Sequence, residues 1–528
     1  MTSPVAVPLP GSAPVAEPGR SRAARATLLF ATFVCAACGL VYELALVAQG
    51  SYLLGDSVTQ TSVVLAVMVF AMGLGSLAAK PLQRHAALSF ARVEALLALT
   101  GGLSVLGLHA AFAWWDLYWP ALITISLAVG ALIGAEIPLL MTLLQRIRRQ
   151  DAGSATADLF AADYVGALIG GLAFPFLLLP VLGLTRGALA VGVVNVLAGA
   201  AVVFGLFGRE LSRRDRLAGG AATLAVLAVL GVAAAGSATF QRVARAQLYA
   251  DPVVHAQTSR YQEIVLTRSA PFAGPADTRL FLDGDLQFSS LDEYRYHEAL
   301  VHPVMAGEHQ RVLVLGGGDG LALREVLRYP GVGSVVEVEL DPAVLGLART
   351  RLAGLNGGSL DDPRVQVVVA DAFRWLRESE AGRFDAVIVD MPDPDATATA
   401  KLYSTEFYAL VRRVLTPDGR MVVQAGSPYF APRTFSCILA TVRSAGFGAV
   451  PYHVDVPSLG DWGFVLADPG TAPRLRVEDP PRSLRFLGDD VLRAAAVFPA
   501  DRAPTPSQPS TLDDPQVLRL ANSEWRRY

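Results

Sequence analysis

Five carboxylates recur at the ends of apolar, β-rich runs in the second half of this 528-residue chain: Asp319, Glu339, Asp371, Asp390 and Asp393. In an open α/β sheet, ligands bind in the crevice outside the carboxyl ends of the strands, so acids at several strand ends converge on one place. A crevice lined by acids takes a cationic ligand. The first of these acids lies in Gly316-Gly317-Gly318-Asp319-Gly320, which follows the run Val312 to Leu315 and leads into a helical pattern from Leu321 to Leu327. Glycines there let the backbone approach a ligand, and Glu339, closing the second run, can accept both hydroxyls of a ribose. The expected ligand is a nucleoside. An aspartate within the turn repels the pyrophosphate that a dinucleotide would place at a helix N-terminus and attracts a cation. The turn therefore favours a sulfonium nucleoside of the S-adenosylmethionine class over NAD or FAD.

These acids must be positioned by alternating strands and helices. Strands are expected near 311–315, 334–339, 365–370, 385–389 and 420–424, with two late runs near 449–455 and 462–467 adding an antiparallel edge. That pattern predicts a doubly wound, Rossmann-like α/β domain over 306–470. Ahead of it, residues 250–305 alternate as short strands around Asp283-Gly284-Asp285 and predict a small β domain. Asp283 and Asp285 read as turn formers, and Glu325 as half of a structural helix pair. After it, residues 471–528 form a Pro-rich tail with short helices near 484–496 and 515–525.

The first half has a different composition. The whole chain is 52% hydrophobic and 17% charged, with mean hydropathy +0.41, too apolar for an ordinary soluble protein. Apolar runs near twenty residues account for it and predict a multi-pass transmembrane domain over 26–238, preceded by a disordered basic lead at 1–25. Seven helices are expected, at 27–50, 58–79, 92–114, 120–143, 160–182, 187–207 and 218–237. The fifth carries Asp163, Pro175 and Pro180. Basic residues fall in the lead (Arg20 to Arg25) and in three alternate loops (Lys80, Arg84 and Arg92; Arg146, Arg148 and Arg149; Arg209, Arg213, Arg214 and Arg216). This pattern places the lead and those loops in the cytoplasm. An odd number of spans then puts the second half outside, whereas a sulfonium nucleoside is made inside; a cytoplasmic catalytic half is the working expectation.

Glu43, Glu136 and Asp163 lie within apolar surroundings, either as a polar path through a bundle or as helix-holding polar groups, with Gly166 and Gly170 allowing close helix contact. Cys35 and Cys38 have C-x-x-C spacing but sit inside an apolar span, where they read as small packing residues. Three cysteines exclude a disulfide framework. The net charge of −3 is uninformative, and no basic domain suggests nucleic acid, so no nucleic-acid partner is expected.

Beyond single residues, the ordered stretches YQEIVLTR (261–268), LFLDGDLQFSSLDEYRYHEALVHP (280–303), GGGDGLALRE (316–325), VEVELD (336–341), ADAF (370–373) and DMPDP (390–394) resemble the polyamine aminopropyltransferases, the spermidine synthase family. GLVYELALVAQG (39–50), GAEIPLLM (134–141) and AADYVGALIGG (161–171) resemble its membrane-fused branch. The resemblance implies transfer of an aminopropyl group from decarboxylated S-adenosylmethionine, as co-substrate, to putrescine or a similar amine, releasing methylthioadenosine. It implies neither a prosthetic group nor a metal, and a homo-oligomer, a dimer. By motif position, Gln262, Gln287 and Asp319 contact the donor, Glu339 its ribose, and Asp371 with Ala372 its adenine edge. Tyr296, His297 and Asp393 position the diamine, and Asp390 is the base. The chain departs from the family in carrying Met391-Pro392 between its two acids, Ala425-Gly426 after Gln424, and no clear counterpart of a diamine-holding tyrosine in VPSLGDWGF (456–464). Those departures touch the acceptor pocket and leave other acceptors, another transferase chemistry, or a polyamine transporter or sensor as competing readings.

Overall fold

The computed structural model describes residues 18–525 except 55–56, 116, 148–151, 271–274, 380–381, 479–480 and 482. The chain divides into two compact units, Met1–Ala250 and Asp251–Tyr528.

The first unit is helical: α1 (Pro18–Leu54), α2 (Ser57–Ala78), α3 (Ala86–Trp115), α4 (Tyr118–Ile147), α5 (Ala152–Ala173), α6 (Leu179–Ala200) and α7 (Arg213–Leu248). Of the expected disordered lead, residues 1–17 lie outside the described residues, and 18–25 are already helical. Pro18 starts the helix where a missing N–H costs nothing, and the Ala/Arg-rich residues after it are good helix formers. Similarly, α7 runs ten residues beyond the expected end of this domain at 238.

Among the described residues, six helical stretches are long and apolar enough to cross a membrane, where seven helices are expected. The difference lies in Thr156–Leu206, a 51-residue stretch, far longer than one bilayer requires. It is interrupted at Gly183, which has φ 71° and ψ 176°. Side-chain neighbours show that the chain reverses there. Helix α5 runs parallel to α1, with Arg25 paired to Asp158 and the faces of Gly166 and Gly170 against Phe33 and Ala37. Helix α3 also runs with α1, since Glu94 lies beside Cys35 and Gly101 against Tyr42. Helix α6 runs against α3, because Gly199 meets Glu94 while Gly192 meets Ala98 and Gly102. The reversal thus falls in the expected gap between 182 and 187, while Pro175, inside the expected fifth helix, sits in a π-helical turn, Phe174–Leu178. Among the described residues the bundle therefore contains seven helices, and α7 ends at the end of the bundle opposite to the start of α1. Glycine contacts hold these helices closely: a Cβ on Gly134 would lie 2.0 Å from the Met72 carbonyl oxygen.

The second unit opens with a four-stranded antiparallel meander, β1 (Val253–Thr258), β2 (Glu263–Arg268), β3 (Thr278–Leu282) and β4 (Asp285–Ser289). A seven-stranded sheet follows: β5 (Arg311–Gly316), β6 (Ser334–Glu339), β7 (Val365–Val369), β8 (Phe384–Asp390), β9 (Leu415–Gln424), β10 (Phe447–Val456) and β11 (Gly460–Pro469). Its order is β10-β11-β9-β8-β5-β6-β7, with β5 to β9 parallel and β10 and β11 antiparallel. Apolar clusters cover both faces, as a doubly wound sheet requires. The strand order reverses at β5, between β8 and β6, and this switch point opens a crevice at the carboxyl ends.

The C-terminal tail is not a loose appendage. Glu524 accepts hydrogen bonds from the Arg433 and Thr434 N–H groups, at 3.0 and 2.9 Å, and from the Thr434 hydroxyl at 2.8 Å. It thereby satisfies the N-terminus of the helix Pro432–Ser444. Val517, Leu520 and Ala521 are buried beside it. These contacts join residues 471–525 to the sheet domain.

The switch point depends on Gly316, whose φ is +79° and whose register partner is Asp390. A Cβ there would stand 2.1 Å from the Asp390 carbonyl oxygen. Gly316→Ala combines left-handed strain with overpacking and is expected to cost about 2–4 kcal/mol. Calorimetry of the full chain should show the sheet unit's transition at lower temperature; an unchanged transition would contradict this account of the turn.

Candidate functional site

Each acid of the crevice is placed by a strand end or by the turn that follows it. Asp319 follows β5, and its Oδ1 accepts the Leu321 N–H at 2.8 Å, closing the turn into helix α9 (Leu321–Val326). Glu339 ends β6, and its Oε1 accepts the Asp341 N–H at 2.7 Å. Asp390 ends β8 and accepts the Tyr296 hydroxyl at 2.6 Å. Asp393 lies 3.2 Å from the Gln424 amide nitrogen, which also donates to the Met391 carbonyl at 2.6 Å. The glycine turn admits these groups: a Cβ on Gly317 would lie 3.0 Å from Asp390 Oδ2, and one on Gly318 2.6 Å from Glu339 Cγ.

Helix α8 (Glu293–Val301) supplies the opposite wall, carrying Tyr296 and His297. Its position is fixed from both ends. The Asp292 carboxylate accepts the Ser458 N–H and hydroxyl at 2.6 and 2.8 Å, and Glu298 accepts the N–H groups of Arg485, Phe486 and Leu487 at 2.8–2.9 Å. His297 turns Nδ1 toward Glu293, 2.9 Å away, and Glu293 is itself held by Arg324. Burial alone lowers the imidazole's pKa, but the Glu293 hydrogen bond and charge, with Asp319 and Asp390 beyond, raise it to about 9. His297 is therefore a fixed positive charge facing the acids.

The acids respond in the opposite direction. Burial pushes Asp319 up to about 6 against the His297 charge, and burial takes Asp393 to about 6 and Glu339 to about 7. Asp390 is raised by burial, with His297 and the Tyr296 hydroxyl partly offsetting it. Tyr296 is pushed well above its ordinary value by burial and by Asp390, so it stays a donor. Ligand-free, the crevice retains protons that a cationic ligand would displace.

Three expected donor residues are engaged elsewhere. The Gln262 amide donates to Asp341 Oδ2 at 3.1 Å, beside the Ser259 hydroxyl at 2.6 Å. Gln262 thus reaches the end of β6 through Asp341, which the motif reading passed over. Asp371 accepts the Arg374 N–H at 2.8 Å and pairs with Lys401 at 2.6 Å; burial would raise it, but these partners bring it below its ordinary value. Ala372 follows it as the buried first residue of a helix. Gln287 donates to the Asp285 carbonyl at 3.1 Å.

The acceptor side holds groups that sequence reasoning missed. Asp283 does form a turn, with φ 50° and its Oδ1 accepting the Glu263 N–H at 2.7 Å. Asp285 opens β4 just after that turn. Although it is solvent-accessible, the packing around its carboxyl, with the charges of Asp395, Asp393 and Asp283, pushes it up to about 7. Asp395 is raised by burial as well. An aromatic wall adjoins Asp390, with the Tyr296 ring 5.3 Å from Phe464 and 6.3 Å from Trp462. The indole nitrogen of Trp462 is buried without a hydrogen-bond partner among the described residues. Trp462 lies in the stretch that offers no tyrosine, and β11 pairing brings it to the crevice.

The spermine/spermidine synthase domain family matches residues 293–476. Polyamine aminopropyltransferase 1 of Streptomyces coelicolor is 60% identical over 511 residues, 96% of each chain. A polyamine aminopropyltransferase of Mycobacterium tuberculosis is 50% identical over 510 residues, 95% of this chain and 97% of its own. These similarities extend through the helical unit. A solved spermidine synthase in complex with the transition state analogue AdoDATO is 28% identical, over 47% of this chain and 85% of its own, with TM-score 0.43.

The raised carboxyls give a signed pH dependence. Between the ordinary carboxylate range near ~4 and about 7, the empty crevice holds protons that a bound dication expels, so affinity for a short diamine should rise with pH through that window. Calorimetry at pH 6 in buffers of different ionisation enthalpy should show release of on the order of one proton per diamine bound, vanishing by pH 8. Binding that is independent of pH and buffer would refute the raised values.

Proposed function

The chain belongs to the polyamine aminopropyltransferases, and from that premise and its acid crevice we propose that it makes spermidine and methylthioadenosine from putrescine and decarboxylated S-adenosylmethionine. The observation that carries this reading is the convergence of Asp319, Glu339, Asp390 and Asp393 at the β5 switch point, opposite a helix that gives Asp390 a tyrosine hydroxyl. The family uses the sulfonium nucleoside as co-substrate and no prosthetic group.

In the proposed step, an amine nitrogen of putrescine attacks the methylene next to the sulfonium. The new C–N bond forms as the C–S bond breaks, and its electron pair stays on sulfur as a neutral thioether. The amine, with pKa near ~10, must first lose a proton, and Asp390 accepts it. Tyr296 orients Asp390 through its 2.6 Å hydrogen bond, and the rings of Tyr296 and Trp462 flank the amine's methylenes. Asp393, with Asp285 and Asp395, holds the far ammonium. On the donor side, Asp319 faces the ammonium of the aminopropyl arm and Glu339 the ribose hydroxyls, with Gln262 and Gln287 beside them. Asp371 and Ala372 meet the adenine edge, where Lys401 already neutralises Asp371. His297, tied to Glu293, balances part of the acid charge and positions Asp390 and Asp319.

Incubating the purified full chain with both substrates should yield spermidine and methylthioadenosine in equal amounts; no product with any amine would overturn the reading. Asp390→Asn should lower kcat by ~10²–10⁴-fold while donor binding stays measurable. Unchanged turnover would remove Asp390 as the base.

We further propose that α1 to α7 span a bilayer, with the catalytic unit on the cytoplasmic face. The donor carries a fixed sulfonium charge and an ammonium, which do not cross hydrocarbon, so the crevice must face the compartment where the donor is made. With seven passes, this puts Arg22, Arg25 and the basic loops on the opposite face, against the usual distribution of positive charge. An alkaline phosphatase fusion after residue 248 should be inactive and one in loop 208–212 active. The reverse result would place catalysis outside the cytoplasm.

A further inference from the structure

The helical unit holds a polar centre that the transfer reaction does not use. Cys35 on α1, Glu94 on α3 and Glu136 on α4 bring one sulfur and two carboxylate oxygens within 4.8 Å of one another. All three are buried, with exposures of 1%, 1% and 5%. Both Glu94 oxygens and Glu136 Oε1 have no hydrogen-bond partner among the described residues, and no lysine or arginine is paired with either acid there. Asn195 on α6, fully buried, leans on the same place: its Nδ2 donates to the Glu94 carbonyl at 3.4 Å, while its Oδ1 is also unpartnered.

An unpaired carboxylate in an apolar interior costs several kcal/mol or more, so two beside a thiol are relieved either by taking up protons or by a bound cation. The neighbouring cysteine has a different fate. Cys38 Sγ reaches the Val191 carbonyl oxygen at 3.8 Å and packs as expected, whereas Cys35 faces the acids. Around a tetrahedral zinc-type ion, sulfur–oxygen and oxygen–oxygen separations are roughly 3.4–3.6 Å, so the donors need close by only about an ångström. One sulfur and two carboxylate oxygens supply three donors, the unpartnered amide oxygen of Asn195, whose Nδ2 is held at Glu94, is the candidate fourth, and the thiolate selects a borderline-soft ion over magnesium or calcium. Asp163 on α5 is the next electrostatic neighbour of Glu136. It is half-buried and offers an acidic step from the bundle surface.

We propose that Cys35, Glu94 and Glu136, with Asn195 as fourth donor, bind one divalent transition-metal ion of the zinc type at the core of the helical unit. The ion ties α1, α3, α4 and α6 together. Binding displaces the thiol proton and any carboxyl protons to solvent, with no redox change.

The test is cobalt titration of the chelator-stripped full chain in detergent. One equivalent of Co²⁺ should bind with a thiolate-to-cobalt absorption band in the near ultraviolet and visible bands of tetrahedral intensity, and Zn²⁺ should displace it. Cys35→Ser should abolish the near-ultraviolet band, and Glu94→Gln and Glu136→Gln should each weaken binding more than tenfold. Cys38→Ser should bind as the natural chain does. Failure of the natural chain to bind Co²⁺ or Zn²⁺ would overturn the proposal, leaving a pair of protonated acids. Binding with no thiolate band, or binding that survives Cys35→Ser, would overturn it equally. The titration is read on the natural chain first, so a variant that does not fold leaves the test intact.

Discussion

Like charges in a confined crevice set the terms for the rest of the catalytic unit. Four carboxylates at neighbouring strand ends repel one another and resist burial, and the protein holds them together before any substrate arrives. It does so with a buried counter-charge: His297, kept protonated by Glu293, which is anchored by Arg324. The remaining imbalance is met by protons retained on the acids themselves. The same imbalance makes the crevice selective, because a cation replaces those protons at little structural cost.

Backbone geometry keeps the acids close. The glycine turn removes the side chains that would separate Asp390 from Glu339, and the strand register fixes Gly316 beside Asp390. Helix α8 is the second support, and its anchors come from distant parts of the chain: Ser458 at one end and residues 485–487 at the other. The Pro-rich tail thus helps to place Tyr296, and damage there should reach the crevice without touching a catalytic group.

Much of this was legible beforehand, and the reasons differ by element. All seven strands of the larger sheet were visible because buried parallel strands are nearly continuous apolar runs bounded by turns. Asp319, Glu339, Asp390 and Asp393 were visible because strand-end acids meet wherever such a sheet forms. Four further groups were not. Asp285 and Trp462 join the crevice through antiparallel pairings whose register no local pattern reveals, and Asp341 was overshadowed by Glu339 two residues earlier. Glu94 was not singled out, because its place beside Cys35 and Glu136 arises only from the packing of separate helices. The reversal at Gly183 falls in the gap expected between the helices at 160–182 and 187–207, where the apolar run pauses at Gly183 to Arg186.

The acid-rich acceptor side has a consequence for what happens after the bond is made. Transfer turns a charged donor into a neutral thioether, because the arm leaves with its ammonium. It turns a diamine into a triamine with one more positive charge. In the proposed reaction, Asp285, Asp393 and Asp395 would hold the lengthened amine more firmly than the one that entered, while the nucleoside is set free. Such a crevice would then favour retention of the polyamine, and an accumulating pool of it would compete with the entering amine for the same acids.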